Sequence, residues 1–271
     1  MNQHIDFKKI WKSEDFELEA EHFFVKTEDG LKISAYEVSV DAPKAIIICL
    51  SGFAWPSATI YFGHARLFQQ HGWATVLFDM RAHGESEGKK IGAAYKEWRD
   101  TKAIVEYIRK KTCYDNVPII VLGFSMGASV AINSIGEIPE IDGLISISAY
   151  SDWLDVFFDK KPELSRLAAK VGKIVVSFGL FFLYGVDSLT KKPKNEIKKL
   201  GNRPALLMHS KKDSHVPYIN FERLVKCAPL SIETFIREGD MHFVAKSFEN
   251  PEKDPEYSKI VVDFIKNHFS R

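Results

Sequence analysis

The chain has 271 residues, 45% of them hydrophobic, with 37 Lys and Arg set against 36 Asp and Glu. A chain of this length and apolar content can bury a full core, which excludes disorder as its main state. A net charge of +1 leaves no basic excess for nucleic acid. Cys49, Cys113 and Cys227 are odd in number and far apart, so they suggest neither a metal-spacing motif nor a disulfide framework. A reducing, cytoplasmic setting is therefore expected.

From Met1 to Lys12 the sequence mixes polar and isolated apolar residues, without the apolar core of a signal peptide. A hairpin follows, with HFFVKT, a Glu28-Asp29-Gly30 turn and the alternating LKISAYEVSV. The runs AIIICL (45–50), ATVLFD (74–79) and PIIVLGF (118–124) are too uniformly apolar for half-exposed strands and predict central parallel strands covered on both faces. Helical patterns lie between them, at roughly 60–71 and 93–111. LISISA (144–149), ALLMHS (205–210) and SIETFI (231–236) complete the strands, and a closing helix runs from about Pro255 to Phe269. This alternation predicts an α/β fold, a mostly parallel sheet of about eight strands with helices on both faces.

Residues 151–203 break the alternation with helical periodicity and no good strand. They predict a helical cap inserted between two strands of a core formed by 1–150 and 204–271, because long structureless loops are rare inside compact domains. Aromatic residues concentrate there, and Trp153, Phe157, Phe181 and Phe182 are candidates for an apolar substrate pocket. The run Ile174 to Val186 falls short of the roughly 20 residues of a membrane span. With the lysines from Lys191 to Lys199 it could rest on anionic lipid, but a lid helix over the pocket is the favoured reading.

The chemistry centres on Gly123-Phe124-Ser125-Met126-Gly127, which follows an apolar strand and precedes a helical start. This is a G-x-S-x-G nucleophile elbow in its expected strand-turn-helix context. The glycines let strand and helix backbones pass close around a strained serine, and the helix N-terminus favours developing negative charge. In this arrangement the acid and then the histidine follow the serine along the chain. His242 stands after the last predicted strand and before the final helix, where the base belongs; His64, His209 and His215 compete less well. Asp213, in the loop after ALLMHS, is favoured as the acid over Asp152, with Asp187 and Asp240 behind them. An oxyanion hole would be made by the backbone N–H groups of Met126 and Phe53.

With these residues in place the sequence resembles an α/β-hydrolase over nearly its whole length outside the cap. FDMRAHGESEG (78–88) is similar to the family's D-x-R-G-H-G-x-S-x-G segment, and HSKKDSHVP (209–217) to its H-G-x-x-D-x-x-V-P segment, which carries the acid. The resemblance is greatest to bacterial esterases, monoacylglycerol lipases and serine-aminopeptidase-like hydrolases. Ser51, Ala82 and Ser210 depart from the family pattern without removing a catalytic atom. Asp79, Arg81, His83 and Ser86 read as braces for the loop beside the elbow.

The resemblance implies an acyl-enzyme mechanism on a small-molecule ester, of carboxylesterase or lipase type (EC 3.1.1), with no metal and no cofactor. Peptidase, thioesterase and acyltransferase chemistry are compatible with the same residues. A serine at position 125 argues against the haloalkane dehalogenases and epoxide hydrolases of this fold, which need a carboxylate nucleophile. A non-catalytic binding protein on the scaffold would be favoured by a missing triad member, and none is missing. Oligomeric state is not legible.

Overall fold

The computed structural model describes residues 3–54, 57–161 and 163–269. Its eight strands are β1 (Glu21–Lys26), β2 (Lys32–Val38), β3 (Ala45–Leu50), β4 (Trp73–Phe78), β5 (Ile119–Phe124), β6 (Gly143–Ile147), β7 (Ala205–Ser210) and β8 (Glu233–Arg237). They form one sheet in the order β1-β2-β4-β3-β5-β6-β7-β8. β2 pairs antiparallel with both β1 and β4, and every later pairing is parallel.

The helices are α1 (Phe62–Gln69), α2 (Trp98–Arg109), α3 (Met126–Glu137), α4 (Trp153–Asp159), α5 (Arg166–Tyr184), α6 (Asp187–Thr190), α7 (Pro193–Glu196), α8 (Ile219–Cys227) and α9 (Pro255–Phe269). Four of them, α4 to α7, lie between β6 and β7.

The uniformly apolar strands are central because both of their faces are covered. Along β3, Ile46, Ile48 and Leu50 enter one core with Ile104 of α2, Val130 of α3 and Leu224 of α8. The alternate residues Ala45, Ile47 and Cys49 enter the other, with Phe68 of α1 and Phe264 of α9. The two-residue side-chain period of a strand thus splits one apolar run between two cores.

α2 begins five residues later than the periodicity predicts. Ala93 and Ala94 adopt φ of 51° and 70°, outside helical space, and the Glu97 carboxylate takes the Gly92 N–H into a local turn instead.

Arg81, just past β4, joins three elements. Its guanidinium donates to Asp100 of α2 at 2.7 and 2.9 Å and to Asp29 in the β1–β2 turn at 2.7 and 3.0 Å. The Arg81 N–H donates to the same Asp100 carboxylate at 2.9 Å. Asp100 is fully buried, so removing its partner strands a charge away from water. Arg81→Met should therefore cost about 3–5 kcal/mol of stability, read from the urea unfolding midpoint; a loss below about 1 kcal/mol would show that water reaches Asp100.

Candidate active site

The parallel strands deliver their carboxyl ends to one edge of the sheet, where open α/β sheets place their sites. Ser125 sits there between β5 and α3, with φ 55° and ψ −117°, a conformation L-residues rarely adopt. The turn is tight enough to exclude side chains on either flank. A Cβ on Gly123 would come within 2.3 Å of the Gly127 carbonyl oxygen, and one on Gly127 within 2.3 Å of the Leu50 and Ser51 carbonyl oxygens. The Ser125 N–H is tied to the Ile147 carbonyl of β6 at 2.8 Å.

His242 lies on the loop between β8 and α9. Its Nδ1 pairs with Asp213 Oδ2 at 2.8 Å, and its Nε2 lies 3.0 Å from Ser125 Oγ. With Nδ1–H donating to the carboxylate, Nε2 is left to accept from the serine hydroxyl. Asp213 is buried on the loop after β7, and its Oδ1 accepts the N–H groups of His215 and Val216 at 2.8 and 2.9 Å. Burial pushes the Asp213 carboxyl up, but the bonds from His242 and the Val216 N–H outweigh it and hold it below its usual range. The group stays charged beside the imidazole. His215 stacks on the His242 ring, centroids 4.7 Å apart.

The other candidate acids are committed elsewhere. Asp152 caps α4 through the Leu154 N–H at 3.2 Å and pairs with Lys192 and Lys194, Asp187 pairs with Arg99, and Asp240 accepts the Ser214 N–H. His64 is buried against the Tyr257 hydroxyl at 2.9 Å, and burial holds its imidazole down at about 3. The Asp213 carboxylate, His215 and His242 also bring ligand-type atoms within 4.8 Å of one another. Two of the three are already bonded to each other.

Three further residues fix this geometry without joining the relay. Ser148, after β6, donates to the His242 carbonyl at 2.6 Å, and Ser210, the last residue of β7, donates to the Met241 carbonyl at 2.6 Å. Together they pin the histidine loop to two strand ends. Ser210 was visible as a departure from the family's glycine; Ser148 had no signal. The third is His83. Its Nδ1–H donates to the Arg81 carbonyl at 3.0 Å, and its Nε2 accepts the Ala54 N–H at 3.2 Å. Burial lowers its pKa, which favours the neutral ring this bonding needs. His83 thus braces the loop after β3 that carries Phe53.

A cleft of about 720 Å³ opens over Ser125 and His242, walled by Phe53, Tyr150, Trp153, Val156, Met241 and Phe243. Met126 opens α3 beneath it, so its backbone N–H lies in the free first turn of that helix. Of the four aromatic residues predicted for the pocket, the structure brings Trp153 into the cleft, its ring 6.0 Å from that of Phe53. Phe157, Phe181 and Phe182 do not line it and are 51%, 38% and 81% exposed. The physical reason is that α5 seats Leu180 and Tyr184 on the protein and turns Phe181 and Phe182 outward, while α4 buries Leu154 and Asp155 and leaves Phe157 exposed.

This strand order, with a strained serine at the centre of the sheet edge and an imidazole and carboxylate arriving on later loops, defines an α/β-hydrolase. The chain belongs to the serine aminopeptidase S33 family, whose model matches residues 41–195, and it is a hydrolase of that superfamily. It is 27% identical to the uncharacterized protein YqkD of Bacillus subtilis, over 94% of this chain and 82% of the relative. It is also 27% identical to thiohydrolase apmlB of Arthrinium phaeospermum, over 45% of this chain and 40% of that one. Among solved structures, the esterase Pf2001 of Pyrococcus furiosus superposes with a TM-score of 0.73 at 23% identity, covering 99% of this chain and 100% of that one. The acylaminoacyl peptidase of Pyrococcus horikoshii superposes at 0.70 and 18% identity, covering 94% and 42%. These structural likenesses are of fold.

Asp79 gives the region a pH dependence. Its carboxylate accepts the Ala58 N–H at 2.8 Å and the Ser57 hydroxyl at 3.3 Å. Burial raises it from 3.8 to about 7 despite those bonds. A carboxyl raised in the folded chain adds stability below its unfolded pKa and loses it as pH climbs through the folded value. The stability of the wild type relative to Asp79→Asn, from urea titrations, should therefore fall between pH 4 and pH 7. Identical pH profiles for the two proteins would show that Asp79 is ionised throughout.

Proposed function

We propose that the protein is a serine hydrolase cleaving an ester-type bond of a small apolar acyl or aromatic substrate. The observation that carries this reading is the continuous relay from Ser125 Oγ to His242 Nε2 at 3.0 Å and from Nδ1 to Asp213 Oδ2 at 2.8 Å, at a strained strand-to-helix turn. Ser125 attacks the carbonyl carbon as its proton passes to Nε2, and Asp213 stabilises the imidazolium. The oxyanion is met by the N–H groups of Phe53 and Met126, each such donor contributing roughly 10²–10³ in rate. Collapse breaks the bond to the leaving group, which takes the proton from His242. Water, activated by the same imidazole, then attacks the acyl-enzyme and restores the serine.

The helices of residues 151–203 serve as a cap, with α4 supplying Trp153 and Val156 to the cleft wall. Apart from Lys160, Asp240 and the polar groups around the serine, the lining is apolar, which supports an uncharged acyl or aromatic group in the cleft. Thioesters and amides are open to the same nucleophile, and the likeness to a thiohydrolase keeps a thioester series among the substrates to test.

Kinetics on p-nitrophenyl esters of increasing acyl length test the reading. Ser125→Ala should lose on the order of 10⁶ in kcat. Asp213→Asn should lose about 10⁴ with KM little changed, because the amide favours the wrong imidazole tautomer. Both variants should retain the wild-type circular dichroism. Turnover surviving in Ser125→Ala would overturn the assignment.

A further inference from the structure

The apolar face of α5 points away from the protein. Over Leu167–Tyr184 the mean hydropathy is 1.7, yet only 11% of the segment is buried. At 100° per residue, Leu167, Val171, Ile174, Val175, Phe178 and Phe182 fall on one stripe, and their exposures run from 52% to 81%. The opposite stripe holds the helix to the molecule. Leu180 and Tyr184 are buried with Tyr95 and Leu154, the Tyr184 hydroxyl donates to the Ile91 carbonyl at 2.8 Å, and Lys173 pairs with Asp155 at 2.7 Å. Spanning a bilayer would tear this side loose; lying flat on one would not. Soluble proteins rarely leave so long a contiguous apolar stripe in water.

The charge around the stripe selects what covers it. Between positions 160 and 192 there are seven basic residues and two acidic ones, in a chain whose net charge is +1. Lys161 and Lys170 are exposed and make no ion pair among the described residues, and Lys170 lies beside Ile174 and Phe178; Lys160, likewise exposed, lines the edge of the cleft. A second copy docking on this face would set two basic rims against each other. An anionic lipid surface accepts both the apolar stripe and the lysines.

We propose that the outer face of α5 docks the protein flat on an anionic membrane surface. Because α4 packs beside α5 and lines the cleft, docking sets the cleft wall next to the lipid. The proposal does not rest on the hydrolytic reading: binding is measured without turnover, and Ser125→Ala protein should bind as the wild type does.

The test is co-sedimentation of the full chain with phosphatidylcholine vesicles containing about a third phosphatidylglycerol, beside pure phosphatidylcholine vesicles. The protein should pellet with the anionic vesicles at low salt and be released by high salt, because the headgroup attraction is screened. Val175→Ser with Phe178→Ser, both at exposed positions, should reduce the bound fraction about tenfold and leave short-chain ester turnover and thermal unfolding at wild-type values. Failure to pellet with anionic vesicles would overturn the proposal. So would equal binding to the neutral vesicles, undiminished binding of the double variant, or a dimer in sedimentation velocity that the double variant abolishes without any vesicle binding.

Discussion

The site depends on how closely three backbones pass at the end of β5. Gly127 lies against the Leu50 and Ser51 carbonyls with no room for a Cβ, and Gly123 lies against Gly127 in the same way. That approach forces Ser125 into φ 55° and ψ −117° and seats the first turn of α3 directly behind the hydroxyl. Strain of this kind costs of order 1–3 kcal/mol and persists only where the surroundings over-determine it. Here the pairing of β5 with β3 and β6, both fully buried strands, supplies the constraint. A flexible loop could hold the same serine but not its direction.

The partners of Ser125 reach it on loops, and loops need separate restraint. Two strand-end serines, Ser148 and Ser210, hold consecutive carbonyls of the histidine loop, Met241 and His242. Asp213 is fixed by the N–H groups of the turn that follows it, and against the upward push of burial the bond from His242, with the Val216 N–H, keeps it charged. On the far side of the cleft, His83 and Asp79 fasten the loop after β3 from beneath. A sheet edge supplies the common frame, and each loop is held by polar bonds of 2.6 to 3.2 Å. That is the pattern expected where a catalytic geometry must hold to a fraction of an ångström.

Much of this was legible in the sequence because it is written in periodicity and spacing. The central strands β3, β4 and β5 follow from apolar runs too uniform for an exposed face, β1 and β2 from a turn and an alternating pattern, and Ser125 from glycines whose spacing a strand-turn-helix elbow needs. What could not be read depends on direction in space. The Ile174 to Val186 run is apolar around most of its circumference, so its sequence does not say which side meets the protein. Leu180 and Tyr184 decide that, through contacts with Leu154 and Tyr95 far away in the chain. As a result Phe181 and Phe182 leave the pocket assigned to them. Ala82 is a second case: it holds φ 62° where the family carries glycine, and its N–H bond to the Glu87 carbonyl at 3.0 Å shows a turn set by neighbours rather than by its own preference.

The insertion between β6 and β7 accordingly has two faces with different chemistry. α4 closes the apolar cleft over the serine, while α5 carries apolar side chains and lysines outward. Only α4 borders the cleft, so only its role depends on the account of Ser125 as a reactive centre. The most direct measurement of that centre is labelling by a fluorophosphonate, with peptide mass spectrometry to locate the adduct. One equivalent on Ser125 in the wild-type chain, and none in a folded His242→Ala variant, is the predicted result. No adduct, or an adduct formed equally well without His242, would contradict the activated serine on which the account stands.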